Sequence, residues 1–377
     1  MRAIVVVGAL VNVGLFCNCS VVAETVVLRG ATQGTTYHIK FVQPAKAVEL
    51  SAVQSDVDRL LTEIDREMST YRPDSEISQF NRAPANEWFA VSKPVAEVVL
   101  AAREISEKSH GAMDVTVGPL VRLWHFGGGA RSEERGTSRN KRPTSRSFAP
   151  PSEQLIATVR KKVGYALLEA RLEPPALRKK VEGSEIDLSS IASGYTIDHL
   201  SELLASHGIA NYMVELGGEV RAAGMREDGT PWRVAIERPI AGKEEFETAV
   251  PLVNAALATA GGTHKYFVYE GRRYSHIIDP AAGRPVEHSL ASVTVAADSC
   301  IEADGWDTPL LVLGPERGMA VAEANGLAAM FVSRAEDDAG GNGNDDVRVT
   351  SAWKKRFGDG RPATAETRTG KARGTRE

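Results

Sequence analysis

The chain changes from strand to helix in residues 187–195, which read Asp-Leu-Ser-Ser-Ile-Ala-Ser-Gly-Tyr. We predict a strand that ends at Asp187 and a helix from Ser190 to His207, closed by Gly208 because glycine commonly follows the last helical residue. Serines before a helix cap its free amides, and helix N-termini also attract anions. These residues alone therefore leave two interpretations open, an ordinary helix cap and an anion site.

Strands and hairpins dominate the sequence after this helix. A strand is predicted at Tyr212–Leu216, and Gly217-Gly218 then turns the chain into a hairpin. Further strands are expected at Trp232–Glu237, Ala249–Ala258, Lys265–Tyr269 and Ser292–Ala297, followed by a helix near Ala303. This mixture predicts an α+β fold with mixed or antiparallel sheets flanked by helices, rather than a purely parallel sheet.

The first half of the chain contains a β-rich stretch and two amphipathic helices. The β-rich residues lie within Glu24–Val42. Apolar residues at three- and four-residue spacing then predict one helix from about Ala45 to Met68, and a second runs from about Pro94 to Ser109.

Size and charge restrict the class of function. The 377 residues are 42% hydrophobic, which is enough for a sizeable core. With 45 basic and 49 acidic side chains the formal net charge is -4. Such a chain has no positive field to attract a nucleic acid, so we expect no nucleic-acid partner.

The N-terminus is typical of an export signal. Met1 and Arg2 precede an apolar run, Ala3–Phe16, that is too short to span a bilayer. We expect cleavage after Ala23, which makes residues 1–23 a signal peptide and the mature protein periplasmic. A lipid anchor to the inner membrane through Cys17 or Cys19 is the alternative.

The remaining domain boundaries follow from composition. Residues 127–151 are rich in Gly, Ser, Arg and Pro and are predicted to form a flexible surface loop. Residues 334–377 contain few apolar side chains and are predicted to be a disordered tail, which leaves residues 24–333 as the folded domain. Cys300 is the one cysteine of this mature chain, so no internal disulfide is expected, and we predict a buried thiol there.

Two carboxylates and a hydroxyl recur at helical spacing in residues 303–308, Ala-Asp-Gly-Trp-Asp-Thr. Asp304, Asp307 and Thr308 would share one face of a helix. Their hard oxygen atoms suit Mg²⁺, which keeps few protein ligands. A solvated, acidic helix start is the alternative interpretation of the same spacing.

A histidine precedes a break in structure in residues 274–280, Tyr-Ser-His-Ile-Ile-Asp-Pro. His276 would be a candidate general base if a metal-bound phosphate lay nearby, because its side chain can accept a proton near neutral pH. A lone histidine at such a position is more often structural, so the residue alone leaves both interpretations open.

Taken in order, these segments resemble the FAD:protein FMN transferase family, also called the ApbE family. The resemblance covers about Gly30 to Val332. It is carried by the three segments above and by three further blocks, Gln33-Gly34-Thr35-Thr36-Tyr37, Met68-Ser69-Thr70-Tyr71-Arg72-Pro73-Asp74-Ser75-Glu76 and Gly111-Ala112-Met113-Asp114-Val115-Thr116-Val117-Gly118-Pro119-Leu120.

The resemblance implies a two-lobed fold with FAD as substrate in the cleft between the lobes and Mg²⁺ on its pyrophosphate. It implies His276 as the catalytic residue. It also implies metal ligation by Ser190, through its side chain or carbonyl, and by Asp304, Asp307 and Thr308. The flavin nucleotide would contact Gln33, Tyr71, Ala112, Met113, Asp114, Asp187, Ser193 and Ile278.

Two matched positions depart from the common pattern of the family. Gln33 stands where methionine is usual, and Ser193 stands where a long charged side chain often follows the metal ligand. Gln33 can still form a hydrogen bond to FAD, whereas Ser193 removes a contact. Because the metal residues and His276 are present, we expect activity.

The expected reaction is Mg²⁺-dependent transfer of FMN from FAD to a threonine or serine of an acceptor flavoprotein, with release of AMP. By analogy with the family, the acceptor is an exported domain of a membrane redox complex or a related flavoprotein. This protein would reach the acceptor either free in the periplasm or in peripheral association with the inner membrane. Three alternatives stay open: hydrolysis of FAD to FMN and AMP, FAD binding without catalysis, and a secreted protein without a flavin site.

Overall fold

The structure is a computed structural model that describes residues 24–126, 149–238, 246–261, 266–334 and 346–358. The predicted signal peptide, nearly all of the predicted 127–151 loop and the end of the chain after Gly358 lie outside these residues. Within the described part of the chain, no helix combines the length and the apolar character that a membrane crossing requires.

The helices and strands have the following bounds. The helices are α1 Leu50–Met68, α2 Glu76–Arg82, α3 Lys93–Lys108, α4 Gly118–Leu123, α5 Glu153–Arg160, α6 Ala192–Ser206, α7 Cys300–Ala324 and α8 Ser351–Phe357. The strands are β1 Thr25–Thr32, β2 Thr35–Val42, β3 Phe89–Ala90, β4 Leu168–Leu172, β5 Pro175–Lys179, β6 Tyr212–Leu216, β7 Glu219–Ala223, β8 Trp232–Glu237, β9 Phe246–Leu252, β10 Ala255–Gly261, β11 Tyr266–Tyr269, β12 Arg272–Ser275, β13 Ile278–Asp279, β14 Arg284–Pro285, β15 Leu290–Ala297, β16 Ala328–Ser333 and β17 Asp346–Val349.

An eight-stranded sheet forms the centre of the described chain, in the order β1-β2-β6-β7-β10-β15-β16-β17. Each neighbouring pair in this sheet is antiparallel. A three-stranded sheet, β3-β5-β4, and the hairpins β8–β9, β11–β12 and β13–β14 complete the strands. The predicted α+β class with antiparallel sheets flanked by helices is confirmed.

The main sheet is buried on both faces, as the alternation along β10 shows. Ala256 and Ala258 pack into a core formed with α1, α6 and the start of α7. Ala255 and Leu257 point the opposite way, into a core that contains Trp353 of α8. Because side chains alternate across a strand, apolar residues on both faces let helices cover one side of the sheet, and the β8–β9 hairpin with α8 cover the other.

Helices α6 and α7 make a close contact at Gly194. A Cβ atom on Gly194 would lie 2.4 Å from the Cys300 carbonyl oxygen and 2.8 Å from the Asp304 Cβ. Asp198 of α6 holds the start of α7, because its carboxylate accepts the backbone N–H groups of Cys300 and Ile301 at 2.8 and 3.0 Å. The two helices therefore pack at a distance that only glycine permits.

The structure corrects two predicted boundaries. Residues 184–188 form no regular strand, since the Asp187 N–H donates to the Val115 carbonyl at 2.7 Å rather than to a sheet. The single strand predicted at Ala249–Ala258 is divided between β9 and β10, because Asn254 adopts a φ of 47° and turns the chain. Asn favours this left-handed conformation, but the apolar residues on either side of it led to the prediction of one strand.

The prediction of a disordered tail from residue 334 is wrong for residues 346–358. Strand β17 pairs with β16 at the edge of the main sheet, and α8 follows it. Thr350 caps α8, and Trp353 is 0% exposed. Trp353, together with Val347, Val349, Ala352 and Phe357 packed against the same core, buries apolar surface in a segment whose average composition is polar.

Replacement of Trp353 by alanine should lower the free energy of unfolding by about 3–5 kcal/mol, because it removes a fully buried aromatic side chain. Urea unfolding of the mature chain measures this change. Trp88 is 38% exposed and provides the control, since Trp88→Ala should cost far less. Equal losses for the two variants would contradict the packing of α8 described above.

Replacement of Gly194 by alanine should separate α6 from α7 and lower the free energy of unfolding by about 1–3 kcal/mol, the usual cost of overpacking. The control is Glu202→Ala, an exposed position on the same helix. Urea unfolding compares the two variants. A Gly194→Ala protein as stable as the control would show that the close contact is not needed.

Candidate functional site

A cleft of about 710 Å³ opens beside α2, the segment around residues 112–122 and the first turns of α7. Its volume lies in the range of small-molecule pockets. Many of the residues predicted for the site line this one cleft: Tyr71, Ala112, Met113, Asp114, Asp187, Ser190, His276, Ile278 and Thr308. The topology thus brings together segments that are far apart in the sequence.

Gln33 and Ser193 line a smaller cavity of about 90 Å³. Tyr71, which is 68% exposed, lines both spaces, so the small cavity adjoins the cleft. Gln33 adopts a φ of 50°, and its Nε2 donates to Thr196 Oγ1 at 2.7 Å. The cavity is too small for a dinucleotide and forms a side pocket of the cleft.

Asp304 and Asp307 lie behind the cleft wall, where they are 4% and 2% exposed. Asp304 Oδ2 accepts the Gly194 N–H at 2.7 Å, one of the first-turn amides of α6 that have no partner within the helix. Asp307 Oδ1 is buried and has no hydrogen-bond partner among the described residues. The interpretation of these residues as a solvated helix start is therefore wrong.

Glu219 lies close to these two aspartates, although the sequence did not indicate it as a site residue. One carboxylate oxygen from each of Glu219, Asp304 and Asp307 lies within 4.8 Å of the others. Glu219 follows the turn at Gly217 and Gly218, whose φ angles are 70° and 122°. An acidic residue directly after a Gly-Gly turn was the available signal, but its spacing from Asp304 in the sequence carried no geometric information.

Burial dominates the electrostatics of this cluster. It raises the pKa of Asp307 well above its usual range, and the charges of Asp304 and Glu219 raise it further. The pKa of Asp304 is raised mainly by burial and then by Glu219. Burial, with the charge of Glu215, raises the pKa of Glu219 to about 7. Carboxylates held this way favour either a proton or a cation.

The donor set fits the Mg²⁺ ion that the sequence predicts. Carboxylate and hydroxyl oxygens are the ligands that Mg²⁺ prefers, and the unpaired Asp307 oxygen needs a positive partner. Thr308 is half-buried and lines the cleft next to these carboxylates. A cation held here would therefore face a ligand in the cleft.

Asp114 and Met113 support the cleft wall. Asp114 Oδ1 accepts the backbone N–H and the hydroxyl of Thr116 at 2.8 and 2.6 Å, and Oδ2 accepts the Tyr165 N–H at 3.0 Å. Met113 Sδ accepts the Ser190 hydroxyl at 3.6 Å. Both carboxylate oxygens of Asp114 therefore hold the backbone around Thr116 and Tyr165 in place. Asp114 also lines the cleft in which a nucleotide would lie.

An aromatic cluster positions His276 in the cleft lining. Its ring meets Phe126 edge-on, with centroids 6.3 Å apart. Phe126 contacts Phe267, and Phe267 stacks on Tyr274 with centroids 5.0 Å apart. The hairpin β11–β12 is thereby fixed against α4, and His276, which follows it directly, lines the cleft. A ring held in this way can act on a bound molecule.

Without a cation, the raised pKa of Glu219 should make stability fall as pH increases. The folded state favours the protonated carboxyl, so this contribution is complete below about pH 4.5 and is lost as pH rises through 7. We measure the free energy of unfolding in urea, with chelator present, at pH 5 and at pH 8. The decrease between the two pH values should be smaller in Glu219→Gln than in the native protein, by on the order of 1–3 kcal/mol. The exposed Glu87→Gln control should keep the slope of the native protein; equal slopes for all three proteins would contradict the prediction.

Known proteins share most of this chain. The model of the ApbE family matches residues 33–331. The chain is 42% identical over 329 residues to a FAD:protein FMN transferase of Vibrio cholerae, with 87% of this chain and 93% of that protein covered. It is 35% identical over 321 residues to the protein of the same name in Escherichia coli K12, with 83% and 86% covered.

Solved structures agree with this assignment. The structure of the flavin transferase ApbE from Vibrio cholerae superimposes with a TM-score of 0.77 at 40% identity, over 89% of this chain and 100% of that one. The apo flavinyl transferase ApbE of Pseudomonas stutzeri gives a TM-score of 0.76 at 36% identity, over 89% and 98%. The chain therefore belongs to the ApbE family.

Proposed function

We propose that this protein transfers the FMN half of FAD to a threonine or serine hydroxyl of an acceptor flavoprotein, depends on Mg²⁺ and releases AMP. The observation that carries the proposal is a cleft of about 710 Å³ with His276 on its wall and Thr308 next to buried, unpaired carboxylate oxygen. Relatives named FAD:protein FMN transferase, with 35–42% identity over most of the chain, support the same reaction.

The proposed Mg²⁺ ligands are Ser190, Asp304, Asp307 and Thr308. When bound, the ion would neutralise charge on the pyrophosphate of FAD. Ser190 and Thr308 line the cleft, whereas the two aspartates lie behind them. The protein thus presents hydroxyl or carbonyl oxygen toward the substrate and keeps its carboxylates away from the substrate's own negative charge.

His276 is the proposed general base. The acceptor hydroxyl oxygen forms a bond to the phosphorus on the flavin side of FAD, the bond from that phosphorus to the AMP oxygen breaks, and a ring nitrogen of His276 takes the hydroxyl proton. AMP leaves with the bonding electron pair. The product is a protein that carries FMN through a phosphoester.

The remaining cleft residues would position FAD. Tyr71 is exposed at the rim and offers a ring for stacking, whereas Ala112, Met113 and Ile278 provide an apolar wall. Asp114 and Asp187 add polar groups to the cleft, and we propose further FAD contacts to Gln33 and Ser193 in the side pocket.

We also propose that the protein is exported to the periplasm by the signal at residues 1–23. The supporting observation is the short apolar run after Arg2. A lipid anchor at Cys17 or Cys19 is the alternative and would place the enzyme at the inner membrane. The acceptor would be an exported flavoprotein with a Ser/Thr target motif.

The reaction is tested by incubating the mature protein with FAD, Mg²⁺ and a domain that accepts flavin, and then measuring AMP and in-gel flavin fluorescence. AMP and labelling should appear together and disappear with chelator. Asp307→Asn should reduce the rate by at least about 10-fold, because loss of a direct ligand should cost no less than loss of an outer-sphere partner.

The exposed Glu87→Gln provides the control and should retain the native rate. AMP release without labelling would replace the transferase by a hydrolase. FAD binding without any AMP would leave a flavin-binding protein. Normal transfer by Asp307→Asn would refute the metal assignment.

A further inference from the structure

We infer that Glu219 is a third carboxylate ligand of the cation that Asp304 and Asp307 hold. The inference rests on the proposed function and extends its metal site by a residue from a separate strand. Glu219 is the first residue of β7, in the main sheet, whereas the two aspartates lie on α7. The cation would thus connect the central sheet to the helix above it.

The spacing of the three carboxylates suits one ion. An ion of this class lies about 2.0–2.6 Å from each oxygen ligand, so opposite ligand atoms are about 4–5 Å apart. One oxygen from each of Glu219, Asp304 and Asp307 lies within 4.8 Å of the others. All three can therefore contact a single ion without any movement of the backbone.

A second observation is the unpaired oxygen of Asp307. Asp307 is 2% exposed, and its Oδ1 has no hydrogen-bond partner among the described residues. Buried carboxylates in proteins are paired, hydrogen-bonded or bound to a metal. The atom therefore indicates a missing positive partner in the space that these carboxylates share.

Within the described part of the chain, the charged groups next to Glu219 do not supply that partner. Arg221 is two residues beyond Glu219 on the same face of β7, but its guanidinium pairs with Asp198. On β6, Glu215 adds a further negative charge and contacts His38 Nδ1 at 2.6 Å. The groups that face Glu219 are thus acidic or already paired, which favours an added cation.

The backbone places Glu219 by a two-residue turn. Gly217 and Gly218 connect β6 to β7, and Leu216 pairs with Glu219 across the hairpin. The Gly218 N–H donates to Glu215 Oε1 at 3.1 Å, and this hydrogen bond stabilises the turn. The side chain of Glu219 is therefore held by the register of the sheet rather than by a mobile loop.

The experiment titrates the mature protein, without FAD, with Mn²⁺ and measures free Mn²⁺ by electron paramagnetic resonance. Glu219→Gln keeps the size of the side chain and should weaken Mn²⁺ binding at least 10-fold. Glu219→Asp keeps the charge with a shorter reach and should show an intermediate loss. Glu215→Gln removes an equal charge from the neighbouring strand without removing a ligand and should change the affinity less than 3-fold.

The outcomes separate this inference from the proposed function. If Glu219→Gln binds Mn²⁺ as tightly as the native protein while Asp307→Asn does not, Glu219 is not a ligand and the proposed function stands. If Glu215→Gln loses as much as Glu219→Gln, the effect is general electrostatics and the inference fails. If the native protein binds no Mn²⁺, both the inference and the proposed metal site fail.

Discussion

The contact between Gly194 of α6 and the first turn of α7 is the constraint on which the rest of the structure depends. The Cys300 carbonyl and the Asp304 side chain occupy the space where a Cβ on Gly194 would lie. This proximity lets the Gly194 N–H reach Asp304 and lets Asp198 cap the start of α7. Asp198 in turn pairs with Arg221, so β7 is fixed against both helices. The carboxylates behind the cleft are positioned by the same set of contacts.

Such a cluster of acidic groups is expensive to bury without a cation, because desolvation disfavours their charged forms. The surrounding fold offsets this cost with apolar packing. Each face of the main sheet is covered, and β15 is buried along its whole length. Stability supplied by the sheet therefore maintains an arrangement at the helix ends that is locally unfavourable. Strained or unsatisfied groups of this kind commonly mark functional sites.

Local patterns predicted the local structure well. Tyr212–Leu216 and Trp232–Glu237 are strands with the predicted bounds, and the apolar spacing before Met68 marks α1. The i, i+3, i+4 spacing of Asp304, Asp307 and Thr308 correctly indicated one helix face, but not that the face is buried. Glu219 could not be found in this way, since its approach to Asp304 depends on strand pairing and helix packing between distant segments. Trp353 shows the opposite case, because the polar average composition of residues 334–377 concealed a fully buried aromatic side chain in α8.

Gln33 and Ser193 are the two positions that the sequence led us to expect as departures from the family pattern, and both line the side pocket of about 90 Å³. Thr196, one turn after Ser193 on α6, accepts the Gln33 amide and holds it at the pocket wall. A long charged side chain at position 193 would compete for this space, so the short serine and the anchored glutamine are compatible with each other. No cationic side chain lines the side pocket in the described residues. In the proposed reaction, neutralisation of the pyrophosphate therefore depends more strongly on the cation at Asp304 and Asp307 than it would with a charged residue at position 193.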